Sequence, residues 1–262
     1  MTDLKFYGHG LPGIKKKSLP GKLIVLEGTD GVGRSTQIAL LREWLESEGY
    51  AVAATGFKRG KLAGKGIKSA MLGHTLSDTT MNLFYITDFA DRLEQEIIPA
   101  LRASFVVLLD RYLYSIIARA QVRGADPSWL RDIFGFALVP DIVFYLQADL
   151  TNLVPRVLNA RGFSYWESGV DILPGRDYYD SYIEYQTRLL AQFDSIADEF
   201  GMIRVDANQS IHDVFQSIQK QISHTIADMK STKRSKKKTE SKDGDKQVKG
   251  SKGKVRKGKK RR

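Results

Sequence analysis

The chain contains no cysteine, which excludes a disulfide framework, a thiolate metal site and a cysteine nucleophile. No apolar stretch approaches the roughly 20 residues that a membrane helix needs, and residues 1–20 lack the apolar middle of a signal peptide. Histidine is scarce: His9, His74, His212 and His224 are scattered without metal-ligand spacing. Acidic charge is thin at the C-terminal end, where Lys230–Arg262 holds 17 Lys and Arg against Glu240, Asp243 and Asp245. That segment carries +14 while the whole chain carries +11, so residues 1–229 stand near −3. The basic character therefore belongs to the tail and says little about what the rest binds. These exclusions predict a soluble, cytoplasmic protein with no membrane partner.

Enough apolar residues are present, 42% of the chain, to build a real core over this length. Residues 1–21 mix Gly, Pro and a Lys run without periodicity and read as an irregular, basic N-terminal extension. From Lys22 onward, short apolar runs alternate with helical patterns. "KLIVLEG", "YAVAATGF", "SFVVLLD", "DIVFYL" and "MIRVDA" read as strands. Helices are expected from Ser35 to Gly49, Thr79 to Ala103, within Leu113 to Leu138, Leu150 to Ala160, Tyr178 to Phe200, and Ile211 to Met229. This alternation predicts a three-layer α/β domain over residues 22–229, a parallel sheet of about five strands with helices on both faces. Beyond Met229 large apolar residues almost vanish, which predicts a disordered tail over 230–262. Its Lys and Arg are suited to nonspecific contact with nucleic-acid phosphates.

In such sheets ligands bind beyond the carboxyl ends of the strands, here Gly28, Thr55, Asp110 and Gln147. The first of these edges carries "EGTDGVGRST", which fits the phosphate-loop pattern GxxxxGK[ST] at Gly28, Gly33 and Ser35. The one departure is Arg34 in place of Lys. The loop stands between a predicted strand and an amphipathic helix, where backbone N–H groups and the helix N-terminus can cradle phosphate. Gly28, Asp30, Gly31, Gly33, Arg34, Ser35 and Thr36 are the expected nucleotide-binding residues. "VVLLD" ends in Asp110, about 75 residues after the loop, so Ser35 and Asp110 are the expected Mg²⁺ residues. Arg34 keeps a permanent cation, but its planar fork is bulkier than an ammonium and placed differently. Arg92 and Arg111 are cations suited to a dianionic phosphate and the transferring group. Arg161 and Arg176 bracket a polar, aromatic segment that reads as a lid over about 161–176. The aromatics Phe163, Tyr165, Trp166, Tyr178 and Tyr179 suit base stacking and lid packing equally.

In this order, from Lys22 to Ser223, the segments resemble the thymidylate kinase family of P-loop nucleoside monophosphate kinases. "LIVLEGTDGVGRSTQ" looks like its first strand and loop, and "TGFKRGKLAGKGIKSAML" its T-R-E-P segment, matching at Thr55 and Gly64. "FADRLEQEIIPAL" is similar to A-D-R...I-x-P-A-L, "LLDRYLYSIIA" to D-R-Y...S...A, "VPDIVFYLQAD" to P-D-x-x-x-Y-L, and "RVDANQSIHDVFQSI" to V-D-A...V...I. The resemblance implies a P-loop NTPase-type fold and ATP- and Mg²⁺-dependent phosphorylation of a nucleoside monophosphate, dTMP first, to its diphosphate. It implies catalytic roles for Arg34, Asp110, Arg111 and Arg161, with Arg176 on the donor phosphates. The acceptor would meet Asp30 at its sugar, Arg92 at its phosphate, and Arg111 and Ser115. Several positions depart from the family pattern. Gly56 stands for the Arg of T-R-E-P, with Lys58 and Arg59 as substitutes; Asp88 stands where a base-stacking Phe is common, with Phe84 nearby; Arg119 and Ala120 replace a Tyr-Gln pair. These departures fall on acceptor recognition. They leave open a kinase for another nucleotide or a deoxynucleoside, or a weakly active nucleotide-binding protein carried to nucleic acid by its tail. Expected partners are the nucleoside monophosphate, nucleic acid through the tail, and a second copy of the chain as a homodimer.

Overall fold

A computed structural model describes residues 6–14, 19–56, 63–73 and 76–229. Five strands, β1 (Lys22–Glu27), β2 (Val52–Gly56), β3 (Val106–Asp110), β4 (Ile142–Gln147) and β5 (Ile203–Asp206), form one parallel sheet in the order β2-β3-β1-β4-β5. Their side chains alternate between two cores. Leu23, Val25, Val107, Leu109, Val143 and Tyr145 face one, while Ile24, Leu26, Val106, Leu108, Phe144 and Leu146 face the other. Burial on both faces is why these strands read as unbroken apolar runs. The α/β fold anticipated from the sequence is the fold observed.

The helices follow in chain order: α1 (Arg34–Ser47), α2 (Gly64–Gly73), α3 (Asp78–Arg92), α4 (Ile98–Arg102), α5 (Leu113–Val122), α6 (Pro127–Ile133), α7 (Leu150–Ala160), α8 (Tyr165–Ser168), α9 (Tyr178–Phe200) and α10 (Ile211–Thr225). α1 and α10 cover one face of the sheet, and α3, α4, α5 and α9 the other. α7 and α9 match their expected bounds. The long helix anticipated over Thr79–Ala103 runs through α3 and α4 with a wider π turn at Leu93–Ile97 between them. The region Leu113–Leu138 breaks at Gly124 (φ 87°), after which Asp126 caps α6 by accepting from the Trp129 N–H. α2, which periodicity did not single out because three glycines dilute it, buries Ile67 and Ala70. The lid segment holds the one-turn α8, capped by Ser164.

The N-terminal extension, irregular where described, lies on the α5/α9 face. Phe6 bridges Leu138, and the Tyr7 hydroxyl hydrogen-bonds that of Tyr114. No described helix is long and apolar enough to cross a membrane. The tail from Lys230 to Arg262, expected to be disordered, falls outside the described residues, as do Lys58, Arg59 and His74.

Phe89, fully buried, anchors the α5/α9 face with edge contacts to Tyr112 (4.9 Å between centroids) and Phe134 (5.5 Å). Phe89→Ala is expected to lower the unfolding free energy by about 3–5 kcal/mol, read as a lower midpoint with unchanged slope in urea titration.

Candidate active site

The parallel register sets Leu26 beside Asp110 and Gly56 beside Asp110, so β1, β2 and β3 end together. The chain leaves β1 through a loop whose glycines are sterically required. Gly28 has φ 139°, and a Cβ there would lie 2.6 Å from the Leu146 carbonyl oxygen; Gly31 has φ 80°, and its Cβ would lie 2.6 Å from Val157 Cγ2. The turn therefore presses against β4 and α7 while its outer side curls over the N-terminus of α1. The α1 N-terminus has no side-chain cap and no acid in its first turn, which leaves its N–H groups and dipole for an anion.

Arg34, the first residue of α1, turns back into the loop. Its Nε donates to Asp110 Oδ1 (2.8 Å), its Nη1 donates to the carbonyls of Gly28 (2.7 Å) and Thr29, and its Nη2 lies 4.0 Å from Asp30 Oδ1. Ser35 Oγ donates to Asp110 Oδ2 (2.9 Å). Ser35 and Asp110 thus present hard oxygens side by side, the donor set Mg²⁺ takes when phosphates and water supply its remaining positions. A glycine cradle that any Cβ would crowd, an open helix N-terminus and this oxygen pair fit Mg²⁺ and a nucleotide triphosphate. Burial works to raise the Asp110 carboxyl, but Arg34 and Arg111 outweigh it and hold it below its ordinary value.

Asp30 sits among three guanidiniums. Arg111 Nη2 donates to its Oδ1 at 2.5 Å, Arg119 Nη2 to its Oδ2, and Arg34 stands beyond. Burial alone would raise this carboxyl; the three cations instead hold it well below the usual carboxylate range. Arg111, at φ 75°, is one of two described non-glycine residues in the left-handed region, a strain characteristic of functional sites. Burial and then Arg34 press its pKa down to about 10, which still leaves a cation at neutral pH.

A cavity of about 250 Å³ opens from these groups. Asp30, Asp110 and Arg111 form one end; Gly56 of β2, Met71 of α2, Asp78, Met81, Asn82 and Tyr85 of α3, Ile116 and Arg119 of α5, Arg123 just after it, and Ser164, Trp166 and Glu167 of the 161–176 segment form the rest. Trp166 donates its indole N–H to the Met71 carbonyl (2.9 Å), so the lid segment touches α2 across the mouth. Arg123 fixes that closure by donating to both oxygens of Asp171 (2.7 and 3.1 Å), the Tyr185 hydroxyl (2.6 Å) and the Trp166 carbonyl (3.2 Å). A charged end joined to a chamber that combines apolar and aromatic side chains with polar ones suits a phosphorylated nucleoside.

A family model described as thymidylate kinase matches residues 26–218. A probable thymidylate kinase 2 of Saccharolobus solfataricus is 35% identical over 202 residues, 76% of this chain and 94% of that protein. A probable thymidylate kinase of Thermococcus gammatolerans is 33% identical over 76% of this chain and 94% of its own length. A thymidylate kinase of Clavibacter sepedonicus is 41% identical over half of this chain. The chain belongs to the thymidylate kinase family. It is accordingly a nucleoside monophosphate kinase, a phosphotransferase.

Within this family frame, the structure brings Gly28, Asp30, Gly31, Gly33, Arg34, Ser35, Asp110 and Arg111 together at one edge, with Thr36 exposed one residue along α1. Other expected residues stand elsewhere. Arg92 and Asp88 are each 1% exposed and paired with one another, Nε to Oδ2 at 3.1 Å, behind the cavity wall rather than in it. Burial is the first cause of the lowered Arg92 pKa. Phe84 is not part of the cavity lining; its ring lies against Gly66 of α2. Along α3 the cavity instead receives Asp78, Met81, Asn82 and Tyr85, the neighbouring helical stripe. Ser115 is fully buried and meets Arg111 rather than solvent. In the lid, Arg161 is exposed and paired with Glu167 (2.7 Å), and Arg176 is exposed outside the cavity beside Tyr179. The lid aromatics divide: Trp166 lines the cavity, whereas Phe163 stacks on Tyr182 at 4.3 Å. Arg59 lies outside the described residues.

Arg119, Arg123, Asn82 and Tyr85 were not among the expected site residues. The available signal was the row Ser115, Arg119 and Arg123, a polar stripe at four-residue spacing on an otherwise apolar helix.

Asp30→Asn leaves the cluster short of its central negative charge. The variant is expected to be about 3–5 kcal/mol less stable than the parent at pH 7. Because the folded pKa of Asp30 is depressed, its contribution is present above the unfolded carboxylate value, near ~3.9, and is lost as pH falls through the folded value. Denaturant titrations should find the gap constant from pH 7 to about 5 and narrowing below about 4; a gap independent of pH would mean Asp30 is not the ion described.

Proposed function

We propose that the protein transfers the γ-phosphoryl group of ATP to dTMP, giving dTDP and ADP. The observation that carries this reading is the cavity whose charged end, Asp30, Asp110 and Arg111, adjoins the phosphate cradle and whose remainder sets Met71, Met81, Tyr85, Ile116 and Trp166 beside polar groups such as Asn82 and Arg119. An acceptor held there places its phosphate at the loop. A phosphate oxygen of the acceptor bonds to the γ-phosphorus as the bond to the β–γ bridging oxygen breaks in line, and the electron pair leaves with ADP. The attacking oxygen is already anionic, so no side chain has to remove a proton. Mg²⁺ held near Ser35 and Asp110 would neutralise charge on the donor phosphates.

The protein's own contribution is position and charge. The loop N–H groups and the α1 N-terminus hold the donor phosphates, and Arg111 spans the two substrates. Arg34 has committed Nε and Nη1 to the loop and Asp110, so its Nη2, only loosely paired with Asp30 at 4.0 Å, is the nitrogen aimed at a phosphate oxygen. Asp30 holds Arg111 and Arg119 side by side at the loop. Tyr85 and Trp166 line the part of the cavity where the base would lie, and the Trp166–Met71 hydrogen bond spans its mouth.

Incubation with ATP and Mg²⁺ should release ADP with dTMP well above dUMP, dCMP, dGMP and free thymidine; an equal background with every acceptor would overturn the assignment. In the same assay Arg34→Ala should lower kcat by about 10²- to 10³-fold. Arg34→Lys, which keeps the cation but not the three-way brace, should lose about tenfold or less.

A further inference from the structure

Glu27, the last residue of β1, is a carboxylate with 0% exposure that takes no part in the transfer described above. It accepts three hydrogen bonds from the start of α5: the Tyr112 N–H (2.7 Å), the Ser115 N–H (3.3 Å) and the Ser115 hydroxyl (2.5 Å). Tyr112, at the N-cap of α5, makes no side-chain cap of its own, so the cap arrives from another strand. The direction of these bonds matters. The Ser115 hydroxyl donates to Glu27 Oε2, and the Ser115 oxygen is left to accept. It accepts from Arg111 Nη1 at 2.9 Å, whose other partners are the Gly28 carbonyl (3.2 Å) and, through Nη2, Asp30 (2.5 Å).

We propose that Glu27 and Ser115 form a positioning relay that aims the Arg111 guanidinium at the phosphoryl group in transit. Two features support this over simple helix capping. First, capping needs only the two backbone N–H bonds, yet the shortest contact of Glu27 is to the Ser115 side chain, which continues to Arg111. Second, Arg111 is held in the left-handed region at φ 75°, so its backbone does not favour this pose and its side chain must be braced. Taking a carboxylate fully out of water is costly, and burial accordingly raises the Glu27 pKa, opposed by the Ser115 hydroxyl and Arg111. A neutral glutamine could cap the helix, but its amide would place an N–H where one oxygen now accepts. Glu27 and Ser115 touch neither substrate and act only through Arg111.

The catalytic half of this inference rests on the dTMP kinase reading; the structural half does not, and the test separates them. Ser115→Ala is the decisive variant, because it leaves both backbone N–H bonds to Glu27 and removes only the link to Arg111. Glu27→Gln is the second, with thermal unfolding to show that each variant is folded. In ¹⁵N spectra of the nucleotide-free protein, the Arg111 guanidinium of the parent should show resolved, slowly exchanging Nη–H signals. In Ser115→Ala these should broaden or merge. In turnover, Ser115→Ala should lower kcat by about 10- to 100-fold, as expected for a misplaced transition-state contact, with the KM for ATP within about twofold. Combined with Arg111→Lys, it should add little further loss, since both act through one guanidinium. An unchanged Arg111 spectrum together with unchanged kcat in folded Ser115→Ala refutes the relay. A parent without turnover on any acceptor, but with Arg111 signals that respond to Ser115→Ala, refutes the functional reading and upholds the relay.

Discussion

The architecture of the site depends on one carboxylate. Asp30 holds the guanidiniums of Arg34, Arg111 and Arg119 within a few ångströms of one another, in a place where burial would otherwise make three like charges mutually repulsive. Placing cations that close requires a counter-ion fixed by the backbone, and the phosphate loop supplies it at the turn between Gly28 and Gly31. Asp110 provides the second negative charge from the neighbouring strand. Asp30 and Asp110 lie among these guanidiniums, and the α1 N-terminus adds its own positive field at the loop. An incoming phosphate therefore completes a charge arrangement already built rather than assembling it.

The fold explains how four chain segments reach this point. β1 and β3 are neighbours in register, so Asp30, Asp110 and Arg111 arrive from strand ends that cannot slide without exposing Val25 and Leu109 to the wrong face. Arg119 comes from α5, whose first turn is tied to β1 through Glu27. The lid reaches the cavity through Arg123, which braces Asp171, Tyr185 and the Trp166 carbonyl at once. A fork of five donors suits that geometry, whereas an ammonium would serve it poorly. Arg119 of α5 and Arg123 at its C-cap thus divide the work, Arg119 meeting the loop and Arg123 the 161–176 segment.

Much of this was legible in the sequence because it is encoded locally. The strands are runs of β-branched and leucine residues, the phosphate loop is defined by glycine spacing, and Asp110 stands at the end of an apolar run. What could not be read was the rotation of helices about their own axes. On α3 the sequence pointed to Phe84, Asp88 and Arg92, but the helix turns its Asp78–Tyr85 stripe to the cavity and buries Asp88 against Arg92. A charged pair four residues apart has the same spacing whether it faces solvent, ligand or core. Arg119 was noticed as a departure in the segment and not as a ligand of Asp30, since their contact spans 89 positions of sequence. Distance in the chain hides such pairs even when each residue is individually conspicuous.

Arg34 shows how the departures depend on one another. A lysine at this position would offer one point charge on a flexible stem; the guanidinium joins Gly28, Thr29 and Asp110 at once. That brace ties the carbonyls of Gly28 and Thr29 to the first residue of α1. The third nitrogen is held toward Asp30, which is itself occupied by Arg111 and Arg119. With a Tyr in place of Arg119, as the family pattern has it, Asp30 would be underpaired and would draw Arg34 Nη2 fully to itself, taking it from the phosphate side. Arg119 satisfies the second oxygen of Asp30 and leaves Arg34 only loosely engaged. The exchange in the loop and the exchange on α5, more than 80 residues apart, are two parts of one charge arrangement, and it is their combination that keeps an arginine serviceable where the phosphate-loop pattern calls for lysine.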